Sequence, residues 1–148
     1  MDKTLKEFQK EQAIKCFNQT WDYIDSPNRT EEDDLSMIHC AHTSRYLWGQ
    51  VGEPLNFERG EWQISKVYHL LNKGQQALYH AEACLRICEK NHIEDFDIVF
   101  AYEAMANAYK LLGDNEQLES YKKRAYDALP QIEDEGNRNY ARSELDKI

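Results

Sequence analysis

Along most of the chain the apolar residues recur at spacings of three and four, the period of a helix face rather than of a strand. Leu5, Ala13, Cys16, Phe17, Thr20, Trp21 and Ile24 fall on one broad face and predict a first helix from Asp2 to about Ile24. Ser26-Pro27-Asn28 ends it, because a residue before proline leaves the helical region. Thr30 then caps a second helix, with Glu31 to Asp34 complementing the positive end of its dipole. Its main stripe is Met37, Cys40, Ala41, Ser44, Leu47, Trp48 and Val51. Leu35, Ile38, His39, His42 and Tyr46 occupy the other side, so this helix lies between two layers or borders a pocket on its second face.

Gly52-Glu53-Pro54 breaks the pattern, and a third helix runs from about Leu55 to Leu71. Asn72-Lys73-Gly74 turns it into a fourth, from about Gln75 to Lys90. Asp95 caps a fifth helix ending near Leu112. Gly113-Asp114-Asn115 turns into a sixth, from about Glu116 to Leu129, which Pro130 stops. Asn137 to Asp146 suits a short last helix. This rhythm predicts an all-α chain of at least six helices arranged as antiparallel hairpins, with no sheet.

Sliding the middle of the chain onto itself by 41 residues aligns like with like. Ile64 meets Met105, Tyr68 meets Tyr109, Leu71 meets Leu112, Ala77 meets Leu118, Cys84 meets Ala125 and Cys88 meets Leu129. The turn residues Asn72 and Gly113 also coincide. Such self-similarity marks stacked units, none of which buries its apolar face alone. The second unit reads Tyr102-x-x-Met105-Ala106-x-x-Tyr109-x-x-x-Gly113, followed by Leu118, Ala125 and Pro130. The first carries Ile64, Ser65, Tyr68, Asn72, Ala77, Ala81 and Cys84.

Over residues 58–130 this resembles the tetratricopeptide pattern of aromatic, large apolar, small, Tyr, Gly, small, small and Pro. The usual repeat is about 34 residues, so about seven more per pair point to a longer-helix variant. Lys122 also stands where the family prefers an aromatic. The resemblance implies a short α-solenoid over residues 1–148: an N-terminal hairpin over 1–51, repeated hairpins over 55–90 and 95–130, and a C-terminal cap over 131–148. Residues 1–51 show no clean repeat register.

Composition narrows the function classes. Hydrophobic residues make up 41% of the 148, enough for a core, and only three prolines and six glycines interrupt them. The net charge of -9 argues against nucleic acid, which needs a basic stripe; the one dense basic cluster is Lys122-Lys123-Arg124. The first residues are charged and unlike a signal peptide, and no run approaches the roughly 18 apolar residues of a membrane span. Cys16, Cys40, Cys84 and Cys88 form no C-x-x-C pair and lie inside helical patterns, which fits thiols in a reducing, cytoplasmic setting.

In tetratricopeptide arrays the first helix of each pair lines the concave groove. Carried over by position, the resemblance assigns Arg59, Trp62, Gln63, Lys66 and His69 of the third helix to that groove, with Phe100, Glu103, Asn107 and Lys110 of the fifth. Arg59 and Glu103 would meet a partner's polar groups or pair with each other across the groove. The residues that clamp a C-terminal carboxylate in some family members are not matched, since Trp62 and Glu103 stand in their place.

His39 and His42 share a helix face with Tyr46, but the further ligands of a metal motif are missing; the single E-x-x-H is Glu89 to His92 at a helix end. His80, Cys84 and Cys88 recur every four residues, yet both cysteines align with core positions. No nucleophile elbow, phosphate loop or dinucleotide fingerprint is present. The expectation is a non-enzymatic module, with no cofactor and no metal, that presents a groove to a peptide, a protein segment or a second copy of itself. The alternative is a small-molecule or metal-binding protein, or an enzyme, whose pocket between the second, third and fifth helices is lined by His42, Tyr46, Arg59, Trp62 and Glu103.

Overall fold

A computed structural model describes residues 2–148. Its helices are α1 (Leu5–Ile24), α2 (Glu31–Val51), α3 (Pro54–Leu70), α4 (Gly74–Lys90), α5 (Phe96–Leu112), α6 (Asn115–Ala128) and α7 (Glu135–Leu145), with one 3-10 turn at Leu129–Gln131. No strand occurs among the described residues. The first helix starts three residues later than its apolar pattern predicts, because Thr4 is its cap and accepts from the Glu7 amide. Thr30 and Asp33 close a reciprocal capping box on α2. Asp134 caps α7 and so starts it two residues earlier than expected.

The helices pack as sequential antiparallel pairs, α1 with α2, α3 with α4 and α5 with α6, and the pairs stack. Along the stack α1, α3, α5 and α7 touch in succession, whereas α2, α4 and α6 make far weaker mutual contact. The first helices therefore form the closed inner side of the array.

Buried polar side chains tie neighbouring helices through backbone carbonyls. Ser44 Oγ donates to the Ala13 carbonyl, Gln63 Nε2 to that of Phe17 and Ser65 Oγ to that of Ala77. Each joins two helices through a carbonyl that already serves its own helix, so both hydroxyls and the Gln63 amide nitrogen are buried with a partner.

The repeat is visible in backbone detail. At the end of α3 the Lys73 amide bonds the Tyr68 carbonyl, with Asn72 left-handed at φ 60°; 41 residues on, the Asp114 amide bonds the Tyr109 carbonyl, with Gly113 at φ 76°. Both are left-handed helix ends of the Schellman type. The N-terminal hairpin also obeys the interval on its first helix: Trp21 stacks on Trp62, 41 residues later, at 5.8 Å between ring centroids. On α2, however, the buried residues Met37, Ala41 and Ser44 correspond to Ala77, Ala81 and Cys84 at an interval of 40. The connection over 25–30 is longer than the one over 71–73, so the interval changes inside the first hairpin. That shift hides its register from a search at one fixed offset.

Candidate functional site

An aromatic ladder crosses the inner face through the three first helices and α7. Trp21 of α1 stacks on Trp62 of α3, Trp62 meets Phe100 of α5 edge-on at 5.8 Å, and Phe100 stacks on Tyr140 of α7 at 5.9 Å. Phe96, one turn before Phe100, packs on it at 4.5 Å. These rings, with Phe17, surround a half-open cavity of about 240 Å³. Its polar lining is Glu58, Arg59 and Asp97. Arg59 holds Asp97 with two parallel bonds, Nε to Oδ1 at 2.9 Å and Nη2 to Oδ2 at 3.1 Å. The fork matches a carboxylate, which fixes both side chains at the rim.

Glu58 is the unexpected member. Its residue is 1% exposed, and its Oε2 accepts from Cys88 Sγ at 2.9 Å. Burial, with the Asp97 carboxylate alongside, pushes its carboxyl up to about 11, so it carries a proton at neutral pH. The Arg59 Nε is 4.0 Å from Glu58 Oε1 but is spent on Asp97. The neighbouring Cys88 thiol, together with burial, holds the Cys84 thiol well above its ordinary range.

Beyond Trp62 the inner face becomes polar. A trough of about 460 Å³ is lined by Lys66, His69, Glu103, Asn107, Lys110, Leu111, Glu144, Lys147 and Ile148. Glu103 is 4% exposed and accepts from the Trp62 indole at 3.3 Å. Burial raises its carboxyl to about 7, although Lys66 and the indole pull it back. His69 Nδ1 is buried with no hydrogen-bond partner among the described residues. Lys66 and Lys110 make no ion pair among the described residues, while Lys147 is paired with Glu144 at 2.6 Å.

The structure thus brings Arg59, Trp62, Lys66, Glu103 and Asn107 onto one face, as their positions predict, with Gln63 buried beneath it. It does not pair Arg59 with Glu103: the guanidinium turns to Asp97 and Glu103 turns to Trp62. Nor does the pocket lie between the second, third and fifth helices; α1, α3, α5 and α7 build it. His42 and Tyr46 stand elsewhere, because α2 lies on the outer side of the pair. His42 Nε2 meets the Tyr68 hydroxyl at 2.9 Å and its ring lies edge-on to His80 at 5.4 Å. Burial, with His80 alongside, lowers its pKa. Beside it Glu61 bonds both Arg45 Nε and His80 Nδ1 at 2.7 Å, so these groups are spent on one another. Tyr46 is 67% exposed on α2.

Sequence reasoning missed Phe17, Trp21, Glu58, Phe96, Asp97 and Tyr140. Trp21 carried a usable signal, standing 41 residues before Trp62. Asp97 carried only the weak one of an acid in a first helical turn. Among the described residues no helix is long and apolar enough to cross a membrane, and all four cysteines are free thiols. Compared with known proteins, the chain matches no family model, no curated protein and no solved structure.

Proposed function

We propose that this chain is a non-enzymatic binding module whose inner face takes an extended peptide or protein segment. One aromatic side chain of the partner enters the aromatic cavity, and a nearby carboxylate lies over Lys66 and Lys110. The observation that carries this reading is the juxtaposition of the two compartments, a ring-lined cavity and a trough with two unpaired lysines, on either side of Trp62. The cavity, at about 240 Å³, is smaller than the roughly 300–1,000 Å³ of pockets that engulf whole small molecules. It suits one side chain better than a complete metabolite. Aromatic rings meeting edge-on or offset add specificity beyond area burial.

The similarity of the repeated hairpins to a longer-helix tetratricopeptide array supports the same reading, since such arrays use the face of their first helices. Fold likeness by itself does not assign a ligand; the commitment to an aromatic and acidic segment rests on the side chains. On a chain of net charge -9, the unpaired lysines select for acid where most of the surface would repel it.

A peptide array varying aromatic and acidic positions, followed by calorimetry on soluble peptides, tests the proposal. Aromatic-plus-acidic sequences bind, and the double variant Lys66→Glu/Lys110→Glu loses them while keeping its melting temperature. No selective binding, or binding indifferent to both this variant and Tyr140→Ala, defeats the reading. Sedimentation of the free protein separates self-association from capture of a different chain.

A further inference from the structure

The two repeated hairpins differ sharply at three matched core positions. In the second hairpin Val99, Ala125 and Leu129 are buried together in one apolar cluster. Forty-one residues earlier the same places hold Glu58, Cys84 and Cys88. All three are buried, and one donor atom from each lies within 4.8 Å of the other two. The fold itself accepts apolar side chains at these positions, as its second copy demonstrates. In the first copy all three are replaced by residues bearing soft or anionic donor atoms, and the replacements meet at one point.

We propose that Glu58, Cys84 and Cys88 are the protein ligands of a zinc ion. Two thiolates select a thiophilic cation over calcium or magnesium, and the carboxylate favours divalent zinc over copper(I). Cys84 and Cys88 lie one turn apart on α4, so both sulfurs face the same side, and Glu58 approaches from α3. Zinc bonds of about 2.3 Å to sulfur and about 2.0 Å to oxygen bring ligand atoms within about 4 Å of each other. The three side chains reach that spacing by a small closure.

On binding, the two thiol protons and the Glu58 carboxyl proton leave for solvent, and three anionic donors face the dication. The surplus negative charge lies next to Arg59, whose Nε is 4.0 Å from Glu58 Oε1. Asp97 grips Arg59 and so fixes that guanidinium beside Glu58, as the outer partner that orients a ligating carboxylate. Three protein ligands leave a tetrahedral ion one position short. The aromatic cavity, which Glu58 also lines, is the route by which the ion and a water ligand arrive. The site shares Glu58 with the aromatic cavity, but it rests on the three buried donors and not on the peptide-binding proposal; the cysteines line no part of that cavity.

Cobalt(II) replaces zinc in such sites and reports thiolate bonds by charge-transfer absorption in the near ultraviolet. Titrating the reduced full chain with cobalt(II) gives a saturable thiolate band at one ion per chain, which zinc bleaches. Cys84→Ala and Cys88→Leu, the residues of the second hairpin, abolish the band, and Glu58→Gln weakens cobalt binding at least tenfold. Cys16→Ser and Cys40→Ser retain it. Circular dichroism confirms that each variant is folded. Absence of a thiolate band in the unmodified protein overturns the proposal whatever the variants do. A band that survives Cys84→Ala and Cys88→Leu overturns it as well.

Discussion

The Trp62 indole donates to the Glu103 carboxylate at 3.3 Å, and the two residues are 41 positions apart, the interval that relates the hairpins. Repeat-equivalent side chains on adjacent first helices thus touch directly. Trp21 extends the column on one side, stacked on Trp62, and Glu144 stands at the next interval on the other. Trp62 also packs against the core clusters of both repeated hairpins. Trp62 is only partly buried, so replacing it by Ala is expected to cost about 3 kcal/mol, the low end for an aromatic. Trp62→Phe keeps most of the packing but removes the donor, and is expected to cost about 1–3 kcal/mol. Urea denaturation of both variants measures this; a Trp62→Ala loss below that of Trp62→Phe would rule out the packing role.

Glu103 gives the fold a pH dependence. Its carboxyl titrates at about 7 in the folded chain and at about 4.3 when unfolded. Between those values the folded state holds a proton that the unfolded state has released, so stability falls as pH rises through that window and levels off above it. Lys66, Lys147, Glu144 and the Trp62 indole face Glu103 and together set where it titrates; His69 shares the trough. A shift of this size corresponds to about 3–4 kcal/mol. Measured by urea unfolding from pH 4 to 8, the wild type should lose about that much relative to Glu103→Gln. Parallel curves would contradict it.

Arg59 is bonded twice to Asp97, yet its side chain is half exposed. Exposed pairs contribute little, so Arg59→Ala is expected to lower stability by only about 1 kcal/mol. The same change frees Asp97 at the cavity rim and should weaken capture of an aromatic-acidic peptide at least tenfold. Arg59→Lys keeps the charge but not the fork, and should recover only part of the affinity. Calorimetry beside thermal melts separates the two effects.

The matched turns make a fourth test. Gly113 and Asn72 both lie at positive φ, 76° and 60°. A Cβ at Gly113 meets nothing within 4 Å, so the strain there is purely that of the backbone. Gly113→Ala should cost about 1–2 kcal/mol, and Gly113→Asn should cost less, since Asn tolerates this region. Equal losses in thermal denaturation would show that the turn does not need its left-handed residue.

What the amino-acid order by itself determined is local. The period of the apolar residues, the Thr30 and Asp95 caps and the Asn72 and Gly113 turns place most of the helices to within a residue or two, because each signal acts within one or two turns of backbone. The 41-residue interval added the stacking of hairpins, and with it the common face of Arg59, Trp62, Lys66, Glu103 and Asn107.

Only the tertiary structure decided which side chains meet across that face. Arg59 and Glu103 look complementary as letters, but where the hairpins settle brings Asp97 to Arg59 and Trp62 to Glu103. The longer connection before α2 obscured the first hairpin, and so hid the part played by Phe17 and Trp21 in the cavity. His42 and Tyr46 share a helix face in sequence, yet α2 lies on the outer side of its pair, away from the site. Glu58 reads as one more helix-surface acid until α4 and α5 close over it. Helix periodicity is written in neighbours three and four residues apart; the contacts that make a site depend on the rotation and offset of whole helices, which many distributed packing contacts set together.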